Sequence, residues 1–415
     1  MLAALLILAL FGLLTSTVFA GMVVAGARHH LRSCRTDAVR ADFTPPLSLL
    51  KPLHGAEPRL AEHLASFFEQ DYFEQDRFEK DRFEKDHFEK DHFEQRRPAF
   101  EILFCARDAE DAGLAIARAV ASRYPQIPAR FFWTNGQPPY INAKVASMEK
   151  MTAEAAYPIL VISDSDVRVT PDYLRAVATP FADERVGAMT CLYRGVAADG
   201  GLWSRLEAVG MSVEMTAGVL VANMLEGMQF VLGPTMAVRR ECVDRMGGMG
   251  SMGDYCSDDY ILGNEVFKQG RTVVLSHHAI DHMILNAGFA DSIKHQVRWM
   301  KSTRFSRPKG HFGTALTFSM PFGLLGMAAA SAMGHPGVGA AILSWAVVTR
   351  WIIAYAAGRE VVRDRNWLDL LVLFPIRDLM GFGFWAASYF SSRILWRGRN
   401  FELTEGGRMR PVNGA

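Results

Sequence analysis

A chain of 415 residues, half of them hydrophobic, is long enough for a catalytic domain of ordinary size plus several membrane segments. With 45 basic against 44 acidic side chains it carries no global field that would draw it to nucleic acid. Its five cysteines, Cys34, Cys105, Cys191, Cys242 and Cys256, are scattered and form no CxxC pair, which argues against a zinc or redox site and for a reducing compartment.

The chain opens with an almost uncharged apolar stretch over residues 2–26, enough at ~1.5 Å per residue to cross a hydrocarbon core of ~30 Å. A secretory signal cleaved after Val18-Phe19-Ala20 is the rival reading, but a basic leader is missing and the run is too long. The reading as a retained anchor, residues 1–26, therefore stands. Arg28, Arg32 and Arg35 follow at once and put that end in the cytoplasm.

Residues 40–310 then alternate short β-type runs (47–50, 100–105, 129–133, 159–163, 188–192, 272–276) with helical ones (57–67, 113–123, 143–151). That is the pattern of an α/β domain with a mostly parallel sheet. One stretch breaks it: Phe68-Glu69-Gln70-Asp71-Tyr72 recurs as a tandem five-residue repeat through residue 97. A five-residue step turns ~140° around a helix and alternates faces on a strand, so the phenylalanines form no continuous stripe. Dense charge of both signs makes 68–97 a solvated insertion to which no chemistry is assigned.

Two more apolar runs, 312–333 and 337–357, are separated by Gly334-His335-Pro336 and read as a membrane hairpin. Arg304, Arg307 and Lys309 before it, with Arg359, Arg363 and Arg365 after it, place both its ends in the cytoplasm. The last run, 367–390, is interrupted by Pro375, Arg377 and Asp378. A simple crossing there would leave Arg393, Arg397 and Arg399 outside; a broken, re-entrant or interfacial segment fits equally. The C-terminal membrane region is thus 312–392.

The residues that can carry chemistry lie in the middle. The run ending in Ile162-Ser163 is followed by Asp164-Ser165-Asp166, two carboxylates at the carboxyl end of a strand, where open α/β sheets bind ligands. Two hard oxygen donors there suit a divalent cation that bridges a diphosphate, although a DxD by itself is also common in surface turns. Asp258-Asp259-Tyr260 heads a helix-like run, where an acid can serve as general base or as N-cap. Arg298-Trp299 follows on a further helix: a guanidinium fork suits diphosphate oxygens and an indole a sugar or base, while an interfacial Arg-Trp pair would look the same.

Taken together, Leu49-Leu50-Lys51-Pro52-Leu53-His54-Gly55, Cys105-Ala106-Arg107-Asp108, Ile141-Asn142-Ala143-Lys144, the Asp164-Ser165-Asp166 segment, Asp258-Asp259-Tyr260 and Arg298-Trp299 resemble the ceramide glucosyltransferases and the related bacterial hopanoid glycosyltransferases. The resemblance covers nearly the whole chain outside the repeat. It implies a GT-A-type nucleotide-sugar-binding domain between N-terminal and C-terminal transmembrane helices, a UDP-sugar donor, a membrane lipid acceptor, and Mg2+ or Mn2+ as cofactor. Residue by residue it implies that Asp108 contacts the nucleotide, that Asp164 lies near metal and diphosphate, and that Asp259 is the catalytic base. Lys51, Lys144, Arg298 and Trp299 fall to the nucleotide sugar, and Asp164 and Asp166 to the metal. The first position of the family's (Q/R)xxRW motif is His295 here, a departure that leaves its role open.

The expected activity is inverting transfer of glucose or N-acetylglucosamine to a hydroxyl of ceramide or a hopanoid polyol, at the cytoplasmic face of a bacterial inner membrane. The rivals are a polymerising synthase of the cellulose or hyaluronan type, which needs more membrane helices, and a nucleotide-sugar-binding membrane protein without turnover. His277, His278 and His282 read as pocket or structural histidines rather than metal ligands. Met211, Met215, Met224 and Met228 read as core packing ahead of an adaptable lipid surface, and Gly247-Gly248-Met249-Gly250 as a mobile stretch before the base.

Overall fold

The computed structural model describes residues 1–37, 43–73, 98–136, 140–286, 288–396 and 399–412. In chain order the elements are α1 (Leu2–Asp37), β1 (Leu47–Pro52), α2 (Leu60–Phe68), β2 (Phe100–Ala106), α3 (Ala112–Ala121), β3 (Ala129–Trp133), α4 (Ala143–Glu154), β4 (Ile159–Ile162), β5 (Val167–Arg168) and α5 (Tyr173–Ala178). There follow β6 (Val186–Ala197), α6 (Leu202–Val209), a π-helical turn Gly210–Met215, α7 (Thr216–Glu226), β7 (Met236–Arg239), α8 (Arg240–Arg245), α9 (Asp258–Lys268), β8 (Thr272–Ile284) and α10 (Phe289–Ser306). The membrane-type part holds α11 (Pro308–Thr314), α12 (Met320–Ala332), α13 (Pro336–Ile353) running into the π-helical Ala354–Val361, and α14 (Trp367–Ala387); β9 (Arg393–Trp396), β10 (Arg399–Leu403) and β11 (Met409–Pro411) close the chain.

One eight-stranded sheet, ordered β3-β2-β1-β4-β7-β6-β8-β5, organises the α/β domain. Its strands alternate in side-chain direction: Leu50, Leu103, Leu160 and Ile162 feed one apolar cluster, while Leu47, Leu49, Ile102, Phe104 and Val161 feed the other. Strands covered on both faces read as near-continuous apolar runs, which is why six of them were legible. The sheet is mixed rather than mostly parallel. β7 runs antiparallel to both β4 and β6, and β5 antiparallel to β8; these two strands are four and two residues long, too short for a periodicity to declare them.

The start of α2 is Leu60 rather than residue 57, because the chain turns at Pro58-Arg59 with Arg59 in the left-handed region (φ 60). That turn frees Glu57 from the helix. The first copy of the repeat is also not a solvated loop. Phe68, Gln70 and Tyr72 are buried; Phe68 stacks on Phe104 and Tyr124, and Gln70 accepts from Leu174 N and donates to Ser66 O and Thr170 O. Phe73 pairs with Pro98 in an antiparallel bridge, which sets these two residues side by side. The remaining copies, 74–97, lie outside the described residues.

Among the described residues four helices are long and apolar enough to cross a membrane: Leu2–Ser33, Leu202–Glu226, Pro336–Val361 and Trp367–Ala387. Connectivity separates them. Leu202–Glu226 leaves from β6 and returns to β7, two paired strands of one sheet, so a single pass across a bilayer is excluded. Both ends of α14 are likewise tied to the α/β domain, Asp369 by Arg205 on α6 and Ser388 O by Arg304 on α10 at 2.7 Å. A simple crossing is therefore excluded, and the segment is a continuous helix despite Pro375. The first arm of the expected hairpin is divided: the helix stops after Thr314 and restarts at Met320, where Asp378 Oδ2 accepts from Ser319 N and Met320 N at 2.9 and 2.8 Å. α12 and α13 still form the antiparallel hairpin, packed against α1.

The basic tail does not end across a membrane from the catalytic side. β9, β10 and β11 form a second small sheet against α10 and the turn before α9, with Met409 N donating to Asp254 O (2.7 Å) and Cys256 N to Gly407 O (3.1 Å). The apolar cores of the two parts meet at Gly26 of α1, where a side chain would run into the Leu220 carbonyl of α7.

Candidate active site

The site is built where β1, β2 and β4 end together. Asp164, Ser165 and Asp166 turn out of β4 into β5, and a cleft of ≈ 190 Å³ is lined by Pro52, Leu53, His54, Glu57, Arg107, Ala143, Lys144, Ser147 and these three residues. Lys144 reaches it from the first turn of α4, which Asn142 caps by accepting from Lys144 N at 3.1 Å. Its ammonium lies 2.7 Å from Asp164 Oδ1 and 3.4 Å from Asp258 Oδ2, clasping the two acidic segments. Burial pulls Lys144 down, but Asp164 and Asp258 outweigh it and hold the ammonium charged.

Lys51 has a different position from the one the resemblance implies. It is fully buried, with Nζ donating to Asp164 O at 2.5 Å, 3.4 Å from Ser163 Oγ and 3.7 Å above the Phe67 ring. Burial draws it down to about 7 against the pull of Asp164. Such a group fixes the Asp164 turn from beneath and does not line the cleft. Asp108 is exposed on the turn after β2, and the neighbouring Arg107 is the residue of that segment that lines the cleft.

Asp166 is positioned by a residue whose role the sequence did not disclose. The β5–β8 pairing sets Val167 opposite His282, and His282 Nε2 stands 3.0 Å from Asp166 Oδ2. Burial raises Asp166, and His282 with Lys51 more than offsets this and leaves it below its ordinary range; burial holds Asp164 above its own. Glu57 is the second missed residue: it hydrogen-bonds Ser165, and burial next to Asp166 and Asp164 raises its carboxyl. His278 pairs instead with the distant Asp172 and Thr170, so the equal spacing of His278 and His282 carried no metal geometry.

Among the described residues no cluster of three or more His, Cys, Asp or Glu side chains is arranged to hold a metal ion. The residues present fit a divalent cation that takes its remaining ligands from a bound diphosphate. Asp164 and Asp166 offer hard oxygens from one turn, and Asp166 Oδ1 is buried with no hydrogen-bond partner.

Asp259 opens α9 with its carboxylate held from two sides, Oδ2 accepting from Gly233 N at 3.1 Å and Oδ1 from Tyr260 N at 2.7 Å. Burial, then Asp258, pushes it up to about 6. The two acids of the pair are thus divided: Asp258 faces Lys144, and Asp259 faces the loop before β7. A Cβ built on Gly233 would lie 3.5 Å from Asp259 Oδ2 and 3.7 Å from Asp164 Oδ2, so both carboxylates converge on one open point. From there a larger cavity of ≈ 660 Å³ extends between the membrane-type helices, lined by Asp259 and Tyr260, Phe19 and Met22 of α1, Met211, Met215 and Leu225, and Trp299 of α10.

Arg298 and Trp299 divide between two environments. Trp299 walls the apolar cavity with His295 against its ring at 4.3 Å. Arg298 packs 5.9 Å from the Trp396 ring of β9 and hydrogen-bonds Cys256. His295, the departure from the family's motif, sets Nδ1 3.1 Å from the buried Glu207.

The fold is thus an α/β sheet with carboxylates from the end of β4 and the start of α9 brought together, joined to helices long and apolar enough to cross a membrane. The chain belongs to glycosyl transferase family 21, whose family model matches residues 9–79 and 84–409. It is 23% identical over 377 residues to ceramide glucosyltransferase 1 of Caenorhabditis elegans, covering 88% of this chain and 73% of that one. Ceramide glucosyltransferase 3 of the same organism is 22% identical over 378 residues, covering 88% and 74%. Among solved structures, mannosyltransferase PcManGT from Pyrobaculum calidifontis in complex with GDP-Man and Mn2+ is 15% identical with a TM-score of 0.45, covering 88% of this chain and 98% of that one.

Proposed function

We propose that the protein is an inverting glycosyltransferase that moves glucose or N-acetylglucosamine from a UDP-sugar to a hydroxyl of a membrane lipid, a ceramide or a hopanoid polyol. The observation that supports it most is the position of Asp259, shared between the point on which Asp164 converges and the apolar cavity among the membrane-type helices. The donor side of that point is polar and the acceptor side apolar, as transfer from a nucleotide sugar to a lipid requires.

In this reading the UDP-sugar lies in the cleft at the strand ends, with the nucleotide toward Asp108 and Arg107. Lys144 and Arg298 supply positive charge on the diphosphate side. A divalent cation held by Asp164 and Asp166 would neutralise the departing diphosphate. The lipid enters the cavity from the membrane side and presents its hydroxyl to Asp259. The carboxylate takes the hydroxyl proton as the oxygen attacks the anomeric carbon from the face opposite the leaving group, which inverts that centre. A base pushed up to about 6 is mostly ionised at neutral pH yet basic enough to share the proton in the transition state. Lys51 acts through the Asp164 main-chain carbonyl and His282 through the Asp166 carboxylate, and Trp299 shapes the acceptor wall. The domain carrying the site, residues 40–310, sits on the cytoplasmic side of a bacterial inner membrane, in agreement with the basic residues that flank α1 and the α12–α13 hairpin.

Membranes holding the wild-type chain or Asp259→Asn are offered labelled UDP-glucose or UDP-N-acetylglucosamine with ceramide or a hopanoid polyol, and the lipid extract is analysed. Label in one lipid with the wild type alone supports the reading and names both substrates. Equal labelling by both chains would remove Asp259 from the chemistry.

A further inference from the structure

The apolar cavity contains charge that the transfer chemistry does not use. Glu214 projects from the π-helical turn between α6 and α7, with Oε2 3.1 Å from Arg377 Nη2 on α14. Arg377 Nη2 also donates to Gln296 Oε1 at 2.9 Å, one turn before Trp299 and Met300 on α10. Behind this pair Arg350 Nη1 donates to Asp378 Oδ1 at 2.7 Å, and Asp378 is fully engaged in capping α12. All four side chains line the cavity that Asp259 lines.

Both layers leave donors over: Arg350 Nε and Nη2 and, on the 5% exposed side chain of Arg377, Nε and Nη1 are buried with no hydrogen-bond partner among the described residues. They differ in their carboxyls, since Asp378 is fully engaged while Glu214 Oε2 meets Arg377 without hydrogen-bond geometry. A buried donor left unmade is costly, and an apolar cavity that retains one is shaped for a ligand that supplies the partner. The backbone makes room for the pair itself. A side chain on Gly210 would collide with Arg377 Nε, and one on Gly381 would press on Glu214 Oε1 from 3.2 Å. Two arginines face two carboxyls here, Glu214 and Asp378. A carboxyl beside each guanidinium disfavours an anionic ligand group, and a bare alkyl chain would leave the N–H groups unpaired.

We propose that Glu214 and Arg377 form a polar subsite within the apolar cavity that recognises an uncharged hydrogen-bonding group, an amide or hydroxyl, on the lipid acceptor. This rests on the reading of the cavity as the acceptor's. The guanidinium donates to the group's oxygen, the carboxylate accepts from its N–H or O–H, and the lipid is thereby seated with its reacting hydroxyl toward Asp259.

The test measures lipid binding, so that it does not depend on turnover. The full chain in detergent micelles is titrated with a short-chain ceramide and with a long-chain primary alcohol of matched length, followed by Trp fluorescence and native mass spectrometry. Wild type should prefer the ceramide by about tenfold or more, as expected for hydrogen bonds to charged groups. Glu214→Leu combined with Arg377→Met removes the pair without stranding either charge, and should reduce the preference to near unity while alcohol binding persists. Arg377→Lys, which keeps the charge opposite Glu214 but loses the fork, covers the case in which the double variant does not fold, and should lose several-fold of the preference. A preference retained in either folded variant, or a wild type that binds both lipids alike or neither, overturns the subsite. Discriminating binding without sugar transfer would overturn the proposed activity and leave the subsite standing.

Discussion

Gly233 offers the sharpest test of where the reaction takes place. It is followed by Pro234 and does not occupy the left-handed region, so alanine can adopt its backbone conformation. The added methyl would lie 3.5 Å from Asp259 Oδ2 and 3.7 Å from Asp164 Oδ2, ordinary van der Waals contact with no clash. Gly233→Ala should therefore fold normally, and loss of unfolded-state freedom would favour the native chain by ~0.4–1 kcal/mol. The methyl nevertheless fills the point on which the base and the diphosphate-side carboxylate converge. A displacement of ~1 Å at a reacting centre costs on the order of 100-fold, about 2.7 kcal/mol of transition-state stabilisation. Melting of the purified variant and kcat/KM for lipid glycosylation, with donor and acceptor varied in turn, would be compared with wild type. An unchanged melting temperature with kcat/KM within threefold of wild type would refute the argument that the reacting atoms meet between Asp164 and Asp259.

In the proposed reaction Asp259 serves as base only when ionised; with its carboxyl held up to about 6, transfer should be constant at neutral pH and fall about tenfold per pH unit below 6, measured as kcat/KM against pH. Lys51→Met removes a fully buried ammonium and leaves the Asp164 carbonyl and the neighbouring carboxylates without it, so thermal stability should fall, and turnover should fall ~10- to 100-fold as the Asp164 turn loses its anchor. Replacing residues 74–97 by a four-residue turn between the bridged Phe73 and Pro98 should change activity by less than about threefold, since loop length enters stability only logarithmically. Phe68→Ala, at the start of the same repeat, should instead cost ~3–5 kcal/mol in chemical denaturation because its ring is buried against Phe104 and Tyr124.

The contrast between those last two substitutions marks what a sequence can and cannot carry. The five-residue copies are nearly identical in sequence, so pattern alone assigned them one fate. The first copy is buried because α2 delivers Phe68, Gln70 and Tyr72 into a core made by β2, α3 and α5. The length and composition of α1, the six apolar strands and the pairing of acidic segments with strand and helix starts were legible because each depends on local periodicity or on a motif confined to a few residues. β7 was hidden because four residues hold no period, and its antiparallel direction is fixed only by neighbours at both sides.

Site chemistry divides in the same way. Asp164, Asp166, Asp259 and Lys144 could be picked out by motif, and three of them stand within one network of charge. That Lys51 lies beneath the Asp164 turn, that His282 rather than His278 meets Asp166, and that Glu57 joins the cleft follow from sheet register and a left-handed turn at Arg59. Hydropathy likewise nominated membrane helices but could not tell a span from an interfacial helix, since that depends on where both ends are tied. The sequence by itself determined the α/β class, the apolar segments and the reactive residue types, because these are properties of short stretches of chain. Only the tertiary structure decided which charges meet, which helices can cross a bilayer and that Asp259 stands both beside Asp164 and on the apolar cavity, because each of these joins residues far apart in the chain through contacts that no local pattern encodes.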